Sequence, residues 1–67
     1  MKFNERLRNE REDLDMTQAQ LGNALGMPQR KISRLERADT EPTTEEIILI
    51  CRYFNKSADY MLGLSDE

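Results

Sequence analysis

The sequence predicts an all-α fold of five short helices, in one domain that spans residues 1–67. Apolar residues recur at the three- and four-residue spacing of amphipathic helices, and no stretch alternates as a strand does. Thr and Ser residues stand just before these apolar stripes, where helix N-caps are preferred. A chain of 67 residues buries only about 60% of its unfolded surface, which favours short helices around one small core.

The first helix is predicted over about residues 3–14, because Phe3, Leu7 and Leu14 are spaced by four and seven residues. Asp15 is expected to end it in a left-handed or turn conformation, which Asp tolerates better than most residues. Apart from Arg11, its charged residues are interpreted as solvated surface, since exposed ion pairs contribute little. These residues are Glu5, Arg6, Arg8, Glu10, Glu12 and Asp13.

The second helix is predicted to begin after Thr17, which has capping-box spacing with Gln20. Gly26 stands where a left-handed C-cap residue is wanted and is expected to end the helix. Gly22 and Ala24 are small, which would let the next helix cross closely. The expected buried stripe consists of Leu21, Ala24 and Leu25.

The third helix is predicted from about Pro28 to Arg37, with Pro28 at its first position. This segment carries four bases and one acid, although the whole chain has a net charge of −3. Residues 38–51 carry four acids and no base, so the charges are strongly segregated along the chain. Ile32 and Leu35 lie on one side of the helix. The opposite side presents, within an arc of about 140°, the residues Gln29, Arg30, Ser33, Arg34 and Arg37.

This polar arc can be interpreted as ordinary protein surface, because small helical proteins often carry arginine-rich surfaces. A sharper one is that a capped helix, a Gly turn and a short basic helix form a helix-turn-helix for the DNA major groove. Arg can bind guanine O6 and N7 through two hydrogen bonds, and Gln can bind adenine N6 and N7 likewise. We expect a solvent or phosphate contact from Lys31, which lies off the arc. Base contacts are expected from the glutamine and arginine side chains of the arc.

A fourth helix is predicted after Thr43, which has capping-box spacing with Glu46. Its apolar stripe is Ile47, Ile50, Cys51 and Phe54. Outside that stripe, and expected either to pack on the first helix or to widen a dimer surface, lie Ile48, Leu49 and Tyr53.

A last short helix is predicted between Ser57, which would cap it, and Gly63, which would stop it. Residues 65–67 form an acidic tail that we expect to be frayed. The apolar residues of this helix are Tyr60, Met61 and Leu62.

Composition argues against several classes of protein. The single cysteine, Cys51, excludes an internal disulfide and is interpreted as a small buried hydrophobe. No His, paired Cys or phosphate-cradling Gly loop is present, so we expect no enzyme, no cofactor, no metal and no small-molecule ligand. No leader and no apolar run near the roughly 20 residues that span a bilayer are found, so no membrane partner and a cytoplasmic location are expected.

The chain resembles the phage-repressor helix-turn-helix family, of the Cro/cI and xenobiotic-response-element type, over essentially its whole length. The resemblance implies a compact five-helix, lambda-repressor-like DNA-binding domain, with the helix-turn-helix at helices two and three. It also implies a homodimer on a pseudo-palindromic operator, which usually pairs through the last helix and its flank. The matching residues are Thr17-Gln18, Leu21, Leu25-Gly26, Gln29, Ile32-Ser33, Leu35-Glu36 and Asp59-Tyr60-Met61-Leu62-Gly63.

The resemblance also implies roles for single residues. Gln18 would bind a phosphate and brace the recognition helix, and Arg11 and Glu36 would form a structural ion pair between the first and third helices. Gln29, Arg30 and Arg34, with Ser33 nearby, match positions that read base edges. The expected phosphate contacts are Thr17, Gln18, Lys31 and Arg37.

The chain departs from the family at three places. Ala38 follows the third helix where Gly is common, and Pro28 stands where Ser or Thr is frequent. Asp39, Glu41 and Glu45 occupy a region that lies near the DNA backbone in relatives, where their charge would weaken binding.

The sequence is therefore compatible with two functions. The leading one is a small sequence-specific transcriptional regulator, a repressor. The alternative is a protein-interaction module, such as an antitoxin-like or anti-repressor-like subunit whose main partner is another protein. The alternative is motivated by the acidic loop after the third helix, Asp39–Glu46, and by the apolar residues outside the stripe of the fourth helix, Ile48, Leu49 and Tyr53.

Overall fold

The structure, a computed structural model, describes residues 1–66 and contains no strand over that range. The all-α prediction is therefore confirmed. The helices found within these residues are α1 (Phe3–Asp13), α2 (Gln18–Leu25), α3 (Gln29–Glu36), α4 (Thr44–Phe54) and α5 (Ala58–Met61).

One small core holds the helices together, and α2 and α3 make the most extensive helix–helix contact among the described residues. Every helix contributes at least one side chain that is no more than 8% exposed. Burying one such aliphatic side chain contributes about 1.5–3 kcal/mol, so the loss of any of them is felt by the whole domain. The described core residues are Leu7, Leu21, Ile32, Leu35, Ile50, Phe54 and Met61.

Local hydrogen bonds fix where the helices begin. Thr17 Oγ1 accepts from the backbone N–H of Gln20 at 3.0 Å, and Gln20 Oε1 accepts from that of Thr17 at 2.8 Å. Thr43 and Glu46 make the same reciprocal pair at 3.1 and 2.9 Å, and Ser57 Oγ caps α5. These bonds satisfy N–H groups that a helix leaves free at its start, and the three predicted caps are confirmed.

Residues with positive φ mark the helix ends. Asp15 (φ 55°), Gly26 (φ 71°) and Gly63 (φ 82°) adopt the left-handed conformation, as predicted for Asp15 and Gly26. Ala38 (φ 60°) does so directly after α3, and Asn55 (φ 55°) ends α4. The left-handed conformation costs a residue with a Cβ about 1–2 kcal/mol, which is the physical reason to prefer Gly at the position of Ala38.

The predicted end of α1, at about residue 14, agrees with the structure to within one residue, but the predicted burial of Leu14 and Ala24 and the predicted place of Pro28 were wrong. α1 ends at Asp13, and the turn that follows it leaves Leu14 54% exposed. Ala24 is exposed, because α2 packs through Leu21 and Gly22, and Ala24 lies about 200° around the helix from Gly22. Pro28 caps α3 in an extended conformation (ψ 151°) rather than forming its first turn.

The prediction of Arg6 as solvated surface was also wrong. Its residue surface is 5% exposed, and its guanidinium carbon lies 4.0 Å from the ring centroid of Tyr60. A cation over an aromatic face is attracted by the negative face of the ring, which offsets part of the cost of burial. The Tyr60 hydroxyl also donates to Glu10 Oε2 at 2.9 Å. Arg6 and Glu10 of α1 therefore both hold Tyr60 of α5.

The outer residues of α4 are exposed, and the tail makes a backbone hydrogen bond to α5. Ile48, Leu49 and Tyr53 are 44%, 45% and 42% exposed, outside the stripe as predicted. In the tail predicted to be frayed, the Ser65 backbone N–H donates to the Asp59 carbonyl at 3.2 Å, whereas Glu67 lies outside the described residues. Cys51 is half-buried against the core, and burial raises the pKa of its thiol.

Gly22→Ala is expected to destabilise the domain by about 1–3 kcal/mol, the usual cost of overpacking. A Cβ on Gly22 would lie 2.5 Å from the Met27 carbonyl oxygen, which belongs to the α2–α3 turn. Urea unfolding measures the effect. Asn23→Ala, at the exposed neighbour in the same helix, is the matched control, and equal stabilities of the two variants would contradict the close packing of this turn.

Candidate nucleic-acid interface

Helix α3 has one buried side and one exposed side. Ile32 and Leu35 are 0% and 1% exposed and hold the helix against the core. Gln29, Arg30 and Arg34 are exposed, and Ser33 is half-buried. The apolar residues at i and i+3 thus turn the polar arc outward. The structure brings all four residues predicted to contact bases onto one helix.

Arg30 and Arg34 stand one helical turn apart, beside the α2–α3 turn. With Lys31 they line a concavity of about 420 Å³, whose acidic lining residue is Glu46. Among the described residues, neither Arg30 nor Arg34 has an ion-pair partner within 4.0 Å. Both guanidinium groups therefore keep their full set of donors for an external acceptor.

Two glutamine side chains connect this surface to the interior. Gln18 Nε2 donates to Glu36 Oε1 at 3.1 Å, and Gln18 Oε1 accepts from Gln29 Nε2 at 3.0 Å. An ionised carboxylate can only accept, so Glu36 fixes which end of the Gln18 amide faces inward. Gln29 is thereby held with its carbonyl oxygen and its second amide hydrogen still free to bind. One acceptor beside one donor is the pattern that matches N6 and N7 of adenine.

An ion pair between Arg11 and Glu36 joins α1 to α3. Arg11 Nε lies 2.7 Å from Glu36 Oε2, and Arg11 Nη2 lies 3.0 Å from Oε1. The remaining Arg11 nitrogen, Nη1, donates to the Met16 carbonyl at 2.7 Å and so holds the α1–α2 turn. The Glu36 side chain is 0% exposed, and that of Arg11 is 11% exposed. This is the forked geometry in which arginine binds carboxylate most strongly.

The charge of Glu36 is retained despite its burial. Burial by itself would raise the pKa of the Glu36 carboxyl, but hydrogen bonds from Arg11 and Gln18, with the Arg11 charge, hold it below its ordinary value. The hydrogen bond to Glu36 correspondingly raises the pKa of Arg11. The pair is therefore ionised at neutral pH.

Two residues expected to contact phosphate already have internal partners. Lys31 Nζ lies 3.3 Å from Glu46 Oε2. Arg37 Nε lies 2.8 Å from Asp39 Oδ2, and its Nη1 donates to Ser33 Oγ at 2.9 Å. Sequence reasoning missed both ion pairs. The two-residue spacing of Arg37 and Asp39 was the available signal, whereas Lys31 and Glu46 meet only through packing.

The other two expected phosphate contacts lie at the start of α2. Thr17 is exposed, and its hydroxyl oxygen caps the helix. Gln18 is half-buried between Glu36 and Gln29. The first N–H groups of α2 and these side chains thus face the same end of the helix, where its dipole favours an anion.

Within residues 1–66, no three His, Cys, Asp or Glu side chains are grouped so as to hold a metal ion. No helix over this range has the length and apolar character needed to cross a membrane.

The family model described as helix-turn-helix matches residues 7–61, which include the whole polar surface of α3. This chain belongs to the helix-turn-helix family. Repressor protein C2 of Salmonella phage P22 is 38% identical over 58 residues, which are 87% of this chain and 27% of that protein. The uncharacterized HTH-type transcriptional regulator YobD of Bacillus subtilis (strain 168) is 29% identical over 63 residues, which are 94% of this chain and 56% of that protein. The chain thus spans about a quarter of Repressor protein C2 and about half of YobD.

Two solved structures share this helix-turn-helix fold. The crystal structure of the P22 c2 repressor in complex with synthetic operator 9T, in the presence of Tl⁺, has a TM-score of 0.86 and 35% identity. The match covers 92% of this chain and 94% of that one. The solution structure of the DNA-binding domain of the P22 c2 repressor (1–76) has a TM-score of 0.83 and 34% identity, and the match covers 91% and 80% of the two chains.

Arg11→Met is expected to lower the free energy of unfolding by about 3–5 kcal/mol, because it leaves the buried Glu36 carboxylate without its main partner. Arg8→Met is the matched control. Arg8 Nε lies 3.5 Å from Glu36 Oε1 and its side chain is 51% exposed, so its loss should cost less than about 1 kcal/mol. Chemical denaturation of both variants measures the difference, and similar losses would refute the dominant role of Arg11.

The stability of the domain is expected to depend on the ionisation of Glu36 in acid. The folded pKa of Glu36 lies below its ordinary value of 4.5. The stability that this shift provides is therefore present above that value and is lost as the pH falls through the folded pKa. Denaturation of the parent and of Glu36→Gln from pH about 7 to about 3 tests the linkage. The variant should lose less stability in acid than the parent, and parallel curves would argue against it.

Proposed function

We propose that this chain binds double-stranded DNA in a sequence-specific manner and acts as a small transcriptional repressor of the phage type. The observation that carries the proposal is the outward polar side of α3, anchored by Ile32 and Leu35 and braced by Gln18. A short helix held in this way fits the major groove, which is wide enough to admit one α-helix. The complex of the similar P22 c2 repressor with an operator supports the proposal.

In this proposal the side chains divide by what they contact on the duplex. Gln29, Arg30 and Arg34, with Ser33 beside them, contact base edges and set the sequence preference. Gln29 pairs with adenine and the two arginines with guanine, the bases that their donor and acceptor patterns match. Thr17 and Gln18 contact phosphate at the start of α2. Lys31 and Arg37, also expected to contact phosphate, pair instead with Glu46 and Asp39 of the same chain.

The active form in this proposal is a homodimer on a pseudo-palindromic operator. Two copies would set their α3 helices about 34 Å apart, one turn of duplex. Leu62 and Leu64 are 40% and 76% exposed, which supports pairing through residues 60–64, and Ile48 and Tyr53 offer a competing surface. A regulator of phage or bacterial genes works where the DNA is, so we place it in the cytoplasm.

Selection of bound duplexes from a random pool tests the proposal directly. Enrichment of two related half-sites, with affinity that falls steeply as salt is added, is the expected result. Failure to enrich any sequence would refute it. Capture of one protein partner in a salt-insensitive manner, with no duplex bound, would favour the protein-interaction module instead.

Arg34→Ala is expected to weaken binding to the selected operator by about 1–3 kcal/mol and to relax the preference at one base position. Arg52→Ala on α4 removes the same charge from an exposed position outside α3 and serves as the control. Binding isotherms on the operator and on single-base variants measure both effects. If Arg34→Ala discriminates among these duplexes as the parent does, Arg34 does not read a base.

A further inference from the structure

The four cations of the α3 segment fall into two classes. Arg30 and Arg34 have no acidic partner within 4.0 Å among residues 1–66, whereas Lys31 and Arg37 each have one. The free pair consists of the residues proposed to contact bases. The neutralised pair consists of residues expected to contact only phosphate. The unpaired cations are thus those proposed to make sequence-dependent contacts, and the paired cations are those expected to make sequence-independent ones.

Glu46 is held in place to meet Lys31. Its Oε1 accepts from the Thr43 backbone N–H at 2.9 Å, which leaves Oε2 to lie 3.3 Å from Lys31 Nζ. The Glu46 and Lys31 side chains are only 18% and 26% exposed. A carboxylate that is already ordered by a capping box loses little additional freedom when it pairs, so this pair is firmer than a fully exposed one.

Asp39 is positioned next to Arg37 by the backbone that closes α3. Its N–H donates to the Arg34 carbonyl at 2.9 Å, and the left-handed Ala38 (φ 60°) turns the chain back toward the helix. The Arg37 guanidinium then bonds to Asp39 at 2.8 Å and to Ser33 at 2.9 Å. Two of its donors are thereby occupied by groups of the same chain.

We propose that Asp39 and Glu46 stand in for phosphate at Arg37 and Lys31, and so limit the sequence-independent attraction of α3 to duplex DNA. The inference rests on the proposed function. Each phosphate contact adds affinity for duplex of any sequence, because it releases a condensed counterion. Two internal carboxylates that already neutralise these cations reduce the number of such contacts, while Arg30 and Arg34 stay available for bases.

The test compares two double variants with equal change in net charge. Asp39→Asn with Glu46→Gln removes both internal partners, and the Gln amide oxygen at position 46 can still cap α4. Glu41→Gln with Glu45→Gln removes two exposed acids from the same loop and helix, neither of which has a cation within 4.0 Å. Thermal unfolding of both proteins checks that they fold. If the first double variant does not fold, the single variants Asp39→Asn and Glu41→Gln replace the pair.

Binding to a random-sequence duplex is measured by fluorescence anisotropy over a range of salt. Freeing both cations should steepen the slope of log K against log salt by about 1.8, or about 0.9 for each added phosphate contact. At about 0.1 M salt this corresponds to a gain in affinity of up to about eightfold for each cation. The control should bind more tightly only through its changed net charge, with the slope of the parent. Equal slopes for the two double variants would overturn the inference.

Retention on immobilised heparin, a polyanion without bases, separates this inference from the proposed function. Later elution of the Asp39→Asn, Glu46→Gln protein than of its control would support internal neutralisation, even if no duplex were bound by any of the proteins. In that case the proposed function would fail and the inference about the cations would stand as a property of the surface. Co-elution of the two variants would overturn the inference whatever the parent does with DNA.

Discussion

The buried carboxylate of Glu36 is the group on which the arrangement of the first three helices depends. It is 0% exposed and accepts hydrogen bonds from Arg11 of α1 and Gln18 of α2, while itself belonging to α3. A buried charge is tolerated only when its partners replace the water it has lost. Three helices must therefore meet at this point in one arrangement, or the carboxylate is left unpaired.

The same carboxylate reaches the surface through the glutamines. Gln18 faces Glu36 with its amide nitrogen, so it offers its oxygen to Gln29. The Gln29 side chain, at the start of α3, is in this way oriented by Glu36, at the end of the same helix. Since the core within residues 1–66 is small, a polar network of this kind contributes the directional constraint that apolar contacts, being non-directional, do not supply.

The effect of a charged residue on this surface depends on which charged side chains lie next to it. The acidic loop after α3 looked unfavourable beside a nucleic acid when only sequence was considered. In the structure Asp39 forms an ion pair with Arg37, and Glu46 forms one with Lys31. Net charge is a poor guide here, because the potential at a surface depends on the positions of the charges more than on their sum.

The sequence alone determined the features that depend on neighbours a few residues apart. The caps at Thr17 and Thr43, the left-handed Gly26 and the buried side of α3 all follow from local hydrogen bonding and helical periodicity. The family likeness supplied the Arg11–Glu36 pairing, which periodicity does not predict. Only the tertiary structure decided that Arg6 lies under Tyr60, that Lys31 meets Glu46, and that Leu14 and Ala24 face outward. Those contacts depend on how whole helices pack, and a side chain with the same spacing can be covered or left bare by an element far along the chain.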